Sequence, residues 1–266
     1  FLDNIFINSK SFYIFYTSLI LIFITGYYDD KFNVSANKKL IIIGAILFSL
    51  ILLDEHAVIK KLHISSLNEI IYMEQFGILF SVMCILLFIN ALNMIDGINM
   101  LASIYVCIIF IFFIFNNVLT YFFIFLLIPL VFIIVSNYFN KLFLGDSGTY
   151  LLGFIISYTF VKSYNISETF IPEEIVTVMI IPGLDLLRLS IERLSRNKHP
   201  FKADRNHLHH LLIDKFNSII SLIIMISMIS IPILLGEIIS FNFGIFSALV
   251  IYSLVLFTLK YQKLWN

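Results

Sequence analysis

The chain has 266 residues, of which 60% are hydrophobic and 13% are charged, and its mean hydropathy is +0.99. These values exclude an ordinary soluble domain and indicate an integral membrane protein, which buries its apolar surface against lipid. The formal net charge of zero argues against nucleic acid as a partner. The chain begins with Phe1 and shows no signal peptide, so we expect the true N-terminus to be missing.

Nine apolar stretches approach the length of roughly 20 residues that a membrane-spanning helix needs. They cover residues 11–28, 39–54, 74–92, 99–116, 118–137, 148–164, 174–192, 216–236 and 242–260. No internal repeat or low-complexity linker interrupts the series. The sequence therefore predicts one all-α, polytopic membrane domain over residues 1–266, with about nine transmembrane helices. Cys84 and Cys107 lie inside apolar stretches, so no disulfide is expected.

A sizeable loop, residues 55–73, separates the second stretch from the third. Its segment Val58-Ile59-Lys60-Lys61-Leu62 is compatible with a short strand and with an interfacial segment, and the pattern does not decide between them.

The distribution of basic residues predicts the orientation in the membrane. If nine helices cross the bilayer, one side collects 13 of the 17 basic residues and the other collects four, which are Lys10, Lys60, Lys61 and Lys162. By the positive-inside rule, the first side faces the cytoplasm. The same alternation brings four polar clusters, distant in sequence, to the cytoplasmic face. This convergence predicts an active site there.

The first cluster is Asp29-Asp30, at the end of the first stretch. Adjacent carboxylates repel each other and are unfavourable near the negative end of a helix dipole. A solvated helix end is the simplest explanation for them. Ionisable residues at membrane depth are costly and usually functional, however, so we predict a pair that handles a metal ion or a proton.

The second cluster, residues 90–97, follows the third stretch. Asn90, Asn93 and Asp96 recur at a spacing of three and so share roughly one helical face. Gly97 allows the backbone to turn or to approach a ligand closely. Amide and carboxylate oxygens suit magnesium and a nucleotide. The alternative is a polar loop in which Asp96 forms a turn.

The third cluster is Asp146, in the segment F-L-G-D-S-G. The segment is typical of a helix N-terminus, where free amides and the helix dipole favour anions such as phosphate. Taken alone, Asp146 is best explained as the cap of that helix. Its predicted position beside the other cytoplasmic clusters favours a functional role.

The fourth cluster is a loop, residues 197–212, that holds four of the six histidines. His207, His209 and His210 lie just after Arg205. The three histidines lack the i, i+4 spacing of a helical pair of zinc ligands, and neither cysteine is near. Imidazole and guanidinium donors to a diphosphate fit better, so we predict a binding loop.

Together these residues resemble the polyprenyl-phosphate N-acetylhexosamine-1-phosphate transferases, glycosyltransferase family 4. The resemblance is carried by Asp-Asp after a span, N-x-x-D-G, F-L-G-D-S-G and P-F-x-A-D-R-x-H-L-H-H, in the family's order and at similar separations. It covers essentially the whole chain. The histidine segment looks closer to the branch that uses UDP-GlcNAc and undecaprenyl phosphate and starts O-antigen, common-antigen or teichoic-acid linkage units.

The resemblance implies a reaction on the cytoplasmic face of the bacterial inner membrane. A polyprenyl phosphate attacks the sugar-bearing phosphorus of a UDP-N-acetylhexosamine and releases UMP. The product, a polyprenyl-diphosphate-sugar, initiates synthesis of a cell-envelope polysaccharide. The implied cofactor is Mg²⁺, with Mn²⁺ as an alternative ion. The implied partners are the lipid and the nucleotide sugar, and a homodimer is left open.

Family roles carry over to the matching positions. Asp29 and Asp30 would deprotonate or position the lipid phosphate, and Asp30 would help Asp146 to bind the metal. Lys39 would neutralise phosphate charge. The other expected substrate-binding residues are Asn90, Asn93, Asp96, Asn137, Arg205, His207, His209 and His210.

The chain departs from the family pattern in two respects. Asn99 stands where the family commonly has a second aspartate after D-G, and this change bears on sugar selectivity and on activity itself. Family members also normally begin with one or two further spans, so the chain is expected to be N-terminally incomplete.

Two other functions stay open at this level. A metal-ion transporter would carry polar residues in mid-span, whereas here they cluster at span ends. Asp185, Arg188 and Glu192 in the seventh stretch are exceptions, and the i, i+3 pair Asp185–Arg188 is interpreted as structural. A catalytically impaired family member is favoured by Asn99.

Overall fold

The computed structural model describes residues 9–65, 69–197 and 206–261. These residues form ten α-helices and one small hairpin, which confirms the predicted all-α membrane class. The helices are α1 (Ser9–Phe32), α2 (Ala36–Leu53), α3 (Gly77–Ile95), α4 (Leu101–Phe115), α5 (Thr120–Tyr138), α6 (Gly145–Lys162), α7 (Pro172–Ser195), α8 (Leu208–Ile213), α9 (Ser218–Ile238) and α10 (Phe241–Tyr261).

Nine of these helices coincide with the nine predicted stretches, and α8 is a short additional helix within the histidine segment. Six helices in the described part of the chain, α1, α2, α3, α5, α9 and α10, are long and apolar enough to cross a membrane. The apolar helix α4 is shorter, and α6 and α7 carry more polar residues. The number of nine spans therefore stays a prediction.

Several helices extend beyond the apolar stretches that predicted them. The apolar pattern stopped at residue 28, yet α1 continues to Phe32 and includes Asp29 and Asp30 in its last turns. Likewise α3 continues to Ile95 and includes Asn93. Hydropathy marks the lipid boundary, whereas the helix ends where backbone hydrogen bonding ends, so polar residues just outside the lipid still sit on rigid helices.

The loop between α2 and α3 contains a two-stranded hairpin, and of the segment Val58–Leu62 only Lys61 and Leu62 belong to a strand, so the strand alternative was correct in part. Strand β1 (Lys61–Ile64) pairs antiparallel with β2 (Glu69–Tyr72), with Lys61 opposite Tyr72. The hydroxyl of Tyr164, just after α6, donates to the carbonyl of Lys61 at 2.9 Å and accepts from the amide of His63 at 3.0 Å. The hairpin is thereby fixed to the C-terminal end of α6, which the predicted topology places on the non-cytoplasmic side.

Helix α6 is the centre of the fold and packs against α1 and α3. From Thr149 to Lys162 its residues are buried except Leu151, which is half-buried. Its polar residues are tolerated because neighbouring helices, rather than lipid, surround it. The closest approach is at Gly26 of α1, where an added Cβ would lie 2.5 Å from the Cα of Ser147.

Gly26→Ala is expected to lower the stability of the protein, because the added methyl group meets backbone atoms that cannot rotate away. Overpacking of this kind typically costs about 1–3 kcal/mol. Gly44→Ala in α2 is a matched control, since its Cβ would have only an ordinary contact, 3.9 Å from a Leu86 methyl carbon. The melting temperature in detergent should fall for the first variant and stay or rise for the second. Equal melting temperatures would contradict the close crossing of α1 and α6.

At the opposite end from the polar clusters, α6 is tied to α1 and α2 by a buried ion pair. Lys162 and Asp54 are both fully enclosed, with Nζ 3.0 Å from Oδ2. Tyr158 donates to the same carboxylate at 2.7 Å and Ser11 donates to it at 3.3 Å. Lys162, which was counted among the four basic residues of the non-cytoplasmic side, is thus a core residue of the bundle.

Candidate functional site

Asp29 is a buried carboxylate that organises the start of α2. Its Oδ1 accepts the backbone amide of Val34 at 2.9 Å. Its Oδ2 accepts from Lys39 Nζ at 2.6 Å and from the Tyr150 hydroxyl at 2.9 Å. With only 2% of its surface exposed, Asp29 connects α1, α2 and α6 and holds the ammonium group of Lys39 in position.

Asp30, the exposed partner of the pair, caps α6. Its two carboxylate oxygens accept the backbone amides of Asp146 at 2.7 Å and Ser147 at 3.0 Å. Gly145 precedes them with φ +67°, a left-handed conformation, and an added Cβ would lie 3.0 Å from both Asp30 oxygens. The alternative in which Asp146 caps its own helix is therefore wrong, since the cap comes from the neighbouring helix α1.

Asp146 keeps its own side chain free of capping and directs it toward α3. Its Oδ1 accepts from Asn93 Nδ2 at 2.5 Å, and the same amide nitrogen contacts Thr149 Oγ1 at 2.9 Å. Its Oδ2 lies 3.6 Å from Lys39 Nζ. Lys39 is thus shared between Asp29 and Asp146, so the carboxylates from α1 and α6 meet around one ammonium group.

His209 packs against Gly97, the residue that follows Asp96. A Cβ on Gly97 would overlap the His209 imidazole, with Nε2 as its nearest atom, so any larger residue there would displace this ring. Burial, together with the carboxylates of Asp146 and Asp30, raises the pKa of Asp96 to about 6. Burial and the neighbouring His210 and His207 lower the pKa of His209 to about 3, so this imidazole is neutral at pH 7.

The raised pKa of Asp96 predicts a pH-dependent stability in the absence of ligand. The native state holds the Asp96 proton more tightly than the unfolded state does. The contribution of Asp96 to the free energy of unfolding is therefore fully present below about pH 4 and is lost as the pH rises through about 6. The loss should amount to about 1–2 kcal/mol after allowance for partial exposure. Melting temperatures of wild type and Asp96→Asn, followed from pH 4 to pH 7, should diverge in the variant's favour. Parallel curves would contradict the assignment.

The turn between α3 and α4 is fixed by α5. The Oδ1 of the buried Asn137 accepts the amide of Met100 at 2.5 Å, and its Nδ2 donates to the carbonyl of Leu142 at 2.9 Å. Met100 has φ 70°, a left-handed conformation that this clamp stabilises. Asn99 donates to Asn140 Oδ1 at 2.6 Å. Asn137 and Asn99 thus shape the site by supporting the turn that carries Asp96.

The histidine segment is anchored to α7. His207 is buried, with Nδ1 3.0 Å from Asp185 Oδ2 and Nε2 3.4 Å from an Arg193 nitrogen. Its ring stacks on that of His209, with centroids 5.5 Å apart. The ring of His210 lies 4.2 Å from that of His209. Arg205, predicted to bind substrate with these histidines, lies outside the described residues.

Residues of three of the four predicted polar clusters line one cavity of about 420 Å³, and none of the histidines of the fourth that the structure describes is among its lining residues. Its walls include Asp29, Asp30, Asn93, Asp96, Asn99, Asn137 and Asp146. His209 and Lys39 contact residues that line the cavity. His209 packs against Gly97, and Lys39 pairs with Asp29 and Asp146. Asn90 is not among the lining residues, and its amide nitrogen donates to the carbonyl of Leu86 in its own helix at 2.8 Å.

The donor set of this cavity fits a hard divalent cation. Among residues 9–65, 69–197 and 206–261, no three His, Cys, Asp or Glu side chains form a ready-made metal cage. Mg²⁺ does not need one, since it commonly keeps several waters and binds one or two carboxylates together with substrate phosphates. Asp30 uses two of about four acceptor positions for its cap and retains the others. Burial is the main reason for the raised pKa of Asp96, and the neighbouring carboxylates of Asp146 and Asp30 add to it.

Sequence reasoning missed two residues of this region and gave a third only part of its contacts. Thr149 and Tyr150 follow Asp146 by three and four positions, so helical spacing places them on its face. Their hydroxyls contact Asn93 and Asp29. Asp185 was noticed but was assigned only to its pair with Arg188. An ionisable side chain in an apolar helix was the available signal.

The fold and the cavity define a multi-pass membrane protein with an acidic cavity at one end of its helices. The family model described as glycosyl transferase family 4 matches residues 12–164, which extend from α1 to the end of α6 and include Asp29, Asp30, Asp96 and Asp146. The chain belongs to this family.

Curated relatives share one printed name, undecaprenyl-phosphate alpha-N-acetylglucosaminyl 1-phosphate transferase. The protein from Salmonella typhi is 27% identical over 216 residues, which is 73% of this chain and 55% of the relative. The one from Escherichia coli K12 is 28% identical over the same coverage. The one from Pasteurella multocida is 34% identical over 73 residues, 27% of this chain and 20% of the relative. The chain thus spans about half the length of the first two.

Proposed function

We propose that the protein transfers an N-acetylhexosamine-1-phosphate from a UDP-sugar to a polyprenyl phosphate. An oxygen of the lipid phosphate forms a bond to the sugar-bearing phosphorus, the bond between the two UDP phosphates breaks, and UMP leaves with that electron pair. The observation that carries this proposal is the cavity shared by Asp30, Asn93, Asp96 and Asp146, four residues from three separate segments. The printed name of the relatives supports the lipid acceptor and the sugar phosphate.

The acceptor side of the site is assigned to α1, α2 and α6. Asp29 holds Lys39 at 2.6 Å, so a cationic group is fixed where it can neutralise a phosphate. The exposed Asp30 is the carboxylate of the pair with spare acceptor positions, so it can position the lipid phosphate or take its proton. The lipid's tail can remain in the bilayer while its phosphate reaches the ends of these helices.

The metal is assigned to Asp146, with help from Asp30. When bound there, Mg²⁺ would supply charge neutralisation for the phosphates of the donor, which is its usual contribution to phosphoryl transfer. Lys39 Nζ, 3.6 Å from Asp146 Oδ2, contributes further positive charge on the same side. Mn²⁺ offers similar oxygen coordination and is the alternative ion.

The nucleotide side is assigned to the α3–α4 turn and the histidine segment. Asn93 and Asp96 supply an amide and a carboxylate, and the neutral His209 can exchange hydrogen bonds beside them. Arg205 remains a proposed donor to the diphosphate, and so does His210. His207 and Asn137 act indirectly, because their polar atoms bind other protein groups.

The orientation proposed is a bacterial inner membrane with the cavity on the cytoplasmic side. It rests on the 13 basic residues of that side against four on the other. A soluble nucleotide sugar could then reach the cavity directly. The reaction would initiate a cell-envelope polysaccharide such as O-antigen, with UDP-GlcNAc as the first sugar to test, and a homodimer remains a separate hypothesis.

A direct assay separates the transferase from a metal-ion transporter and from an inactive relative. Membranes containing the chain are mixed with radiolabelled UDP-GlcNAc, undecaprenyl phosphate and Mg²⁺. Labelled lipid that disappears with a chelator is expected. Metal flux into vesicles without labelled lipid would favour the transporter. Neither signal, with all UDP-N-acetylhexosamines tested, would identify an inactive family member, for which Asn99 is the first candidate cause.

A further inference from the structure

Asp185 is a buried carboxylate in α7 that the proposed reaction does not use. Its Oδ1 accepts from Arg188 at 2.7 Å and from the Tyr252 hydroxyl of α10 at 3.1 Å. Both oxygens lie 3.2 Å from the amide of Leu208, and Oδ2 contacts His207. An acidic group in an apolar helix is costly, and this one is compensated by donors from three parts of the chain.

The two partners of His207 assign donor and acceptor roles to its ring nitrogens. Arginine nitrogens can only donate, so the Arg193 contact requires Nε2 of His207 to be the acceptor. The proton must then lie on Nδ1, which donates to Asp185 Oδ2 at 3.0 Å. Both ring nitrogens of His207 are therefore occupied by protein groups, and the ring is held in one orientation.

This fixed ring supports His209. The two imidazoles are nearly parallel, with an interplanar angle of 14°. His209 is 2% exposed and rests directly on Gly97, next to Asp96 in the cavity. Arg188 also donates to the carbonyl of Asn206 at 2.7 Å, so α7 holds the chain on both sides of His207. A continuous set of contacts thus leads from Asp185 through His207 to the cavity.

We infer that Asp185 is a positioning residue for nucleotide-sugar binding, which acts by fixing the tautomer of His207 and, through its ring, the place of His209. The kinetic consequence of this inference rests on the proposed function. Its structural part, the Nδ1–H tautomer of His207, stands on the contacts alone.

Asparagine at position 185 cannot satisfy these contacts in either orientation of its amide. If the NH₂ group of the asparagine points toward His207, it meets the Nδ1–H donor of that ring. If the NH₂ group points toward α10, it meets the donors of the Arg188 guanidinium. In both cases two donors face each other without an acceptor. If His207 took the other tautomer instead, its Nε2–H would face the N–H groups of Arg193, and two donors cannot form a hydrogen bond. Asp185→Asn should therefore displace His209 even where the helices still assemble.

Kinetics with the full chain in detergent test this consequence. Asp185→Asn should raise KM for UDP-GlcNAc about tenfold, with a smaller change in kcat, because lost positioning weakens donor binding. Tyr252→Phe removes one donor to Asp185 and should shift KM in the same direction, about threefold.

Glu192→Gln is the matched control, since Glu192 also pairs with Arg188, with a nitrogen–oxygen distance of 3.3 Å. Its KM should stay within about twofold. An unchanged KM in Asp185→Asn would overturn the inference.

A second measurement does not depend on activity. Long-range nitrogen–proton correlation spectra of ¹⁵N-histidine-labelled protein report each tautomer, and His207→Gln identifies its signals. An Nδ1–H pattern for His207, and His209 signals that move in Asp185→Asn but not in Glu192→Gln, are expected. An Nε2–H or doubly protonated His207 would overturn the inference. If the wild type forms no lipid product with any UDP-sugar, the proposed function fails, while these spectra still decide the positioning role.

Discussion

Asp146→Asn is expected to lower turnover about 1000-fold or more while the helices still assemble. Asparagine keeps an oxygen that can accept the hydrogen bond from Asn93, so the local packing survives. It removes the negative charge that lies 3.6 Å from Lys39 and that is proposed to hold the cation. Initial rates of lipid product formation, measured over a range of Mg²⁺ concentrations, give the comparison.

Glu168→Gln serves as the control for this variant. Glu168 forms an exposed ion pair with Lys61 at 3.0 Å, at the predicted opposite side of the membrane. Such pairs contribute little to stability, so activity and melting temperature should both stay close to wild type. Turnover of Asp146→Asn within about tenfold of wild type at saturating Mg²⁺ would remove Asp146 from the proposed metal site.

Asp29→Asn is expected to lower turnover by orders of magnitude and to destabilise the protein as well. The variant leaves the Lys39 ammonium without its partner at 2.6 Å and weakens the link from Tyr150. Breaking a buried charge pair costs about 3–5 kcal/mol, and the 22% exposure of Lys39 reduces this to about 2 kcal/mol here. Melting temperature and turnover are both measured.

The double variant Asp29→Asn/Lys39→Met separates the two effects. Removing both charges leaves no ammonium group without its closest carboxylate, so the melting temperature should recover most of the loss. Turnover should not recover, because the cation proposed to face the phosphate is gone. Recovery of turnover in step with stability would mean that the pair has a structural role alone.

The sequence predicted the helical architecture well because a bilayer leaves few alternatives. Each backbone group must be satisfied within its own helix, so long apolar stretches could be read directly as helices. The helix ends were less predictable. Asp29, Asp30 and Asn93 lie on helices that continue past the apolar stretches, because the hydropathy pattern follows lipid contact rather than backbone hydrogen bonding.

The convergence of Asp29, Asp30, Asn93, Asp96 and Asp146 on one cavity was predicted from alternation of sides, but the contacts within it were not. Spacing could not show that Asp30 caps α6, since that bond joins residues 116 positions apart. Nor could it separate Asn90, bonded within its own helix, from Asn93 one turn later, which contacts Asp146. The roles of His207 and His209 also diverge, because Asp185 binds the first of them. Such divisions depend on tertiary packing, which is not encoded in local patterns.

The fate of the two phosphorus atoms of the donor tests the account most directly. Purified protein is incubated with undecaprenyl phosphate, Mg²⁺ and UDP-GlcNAc labelled with ³²P at either the α or the β position. The proposed attack on the sugar-bearing phosphorus predicts that β label enters the lipid and α label leaves as UMP, with both events absent in Asp146→Asn. Both labels remaining together in UDP while the sugar enters the lipid, or no transfer from any UDP-N-acetylhexosamine, would contradict it.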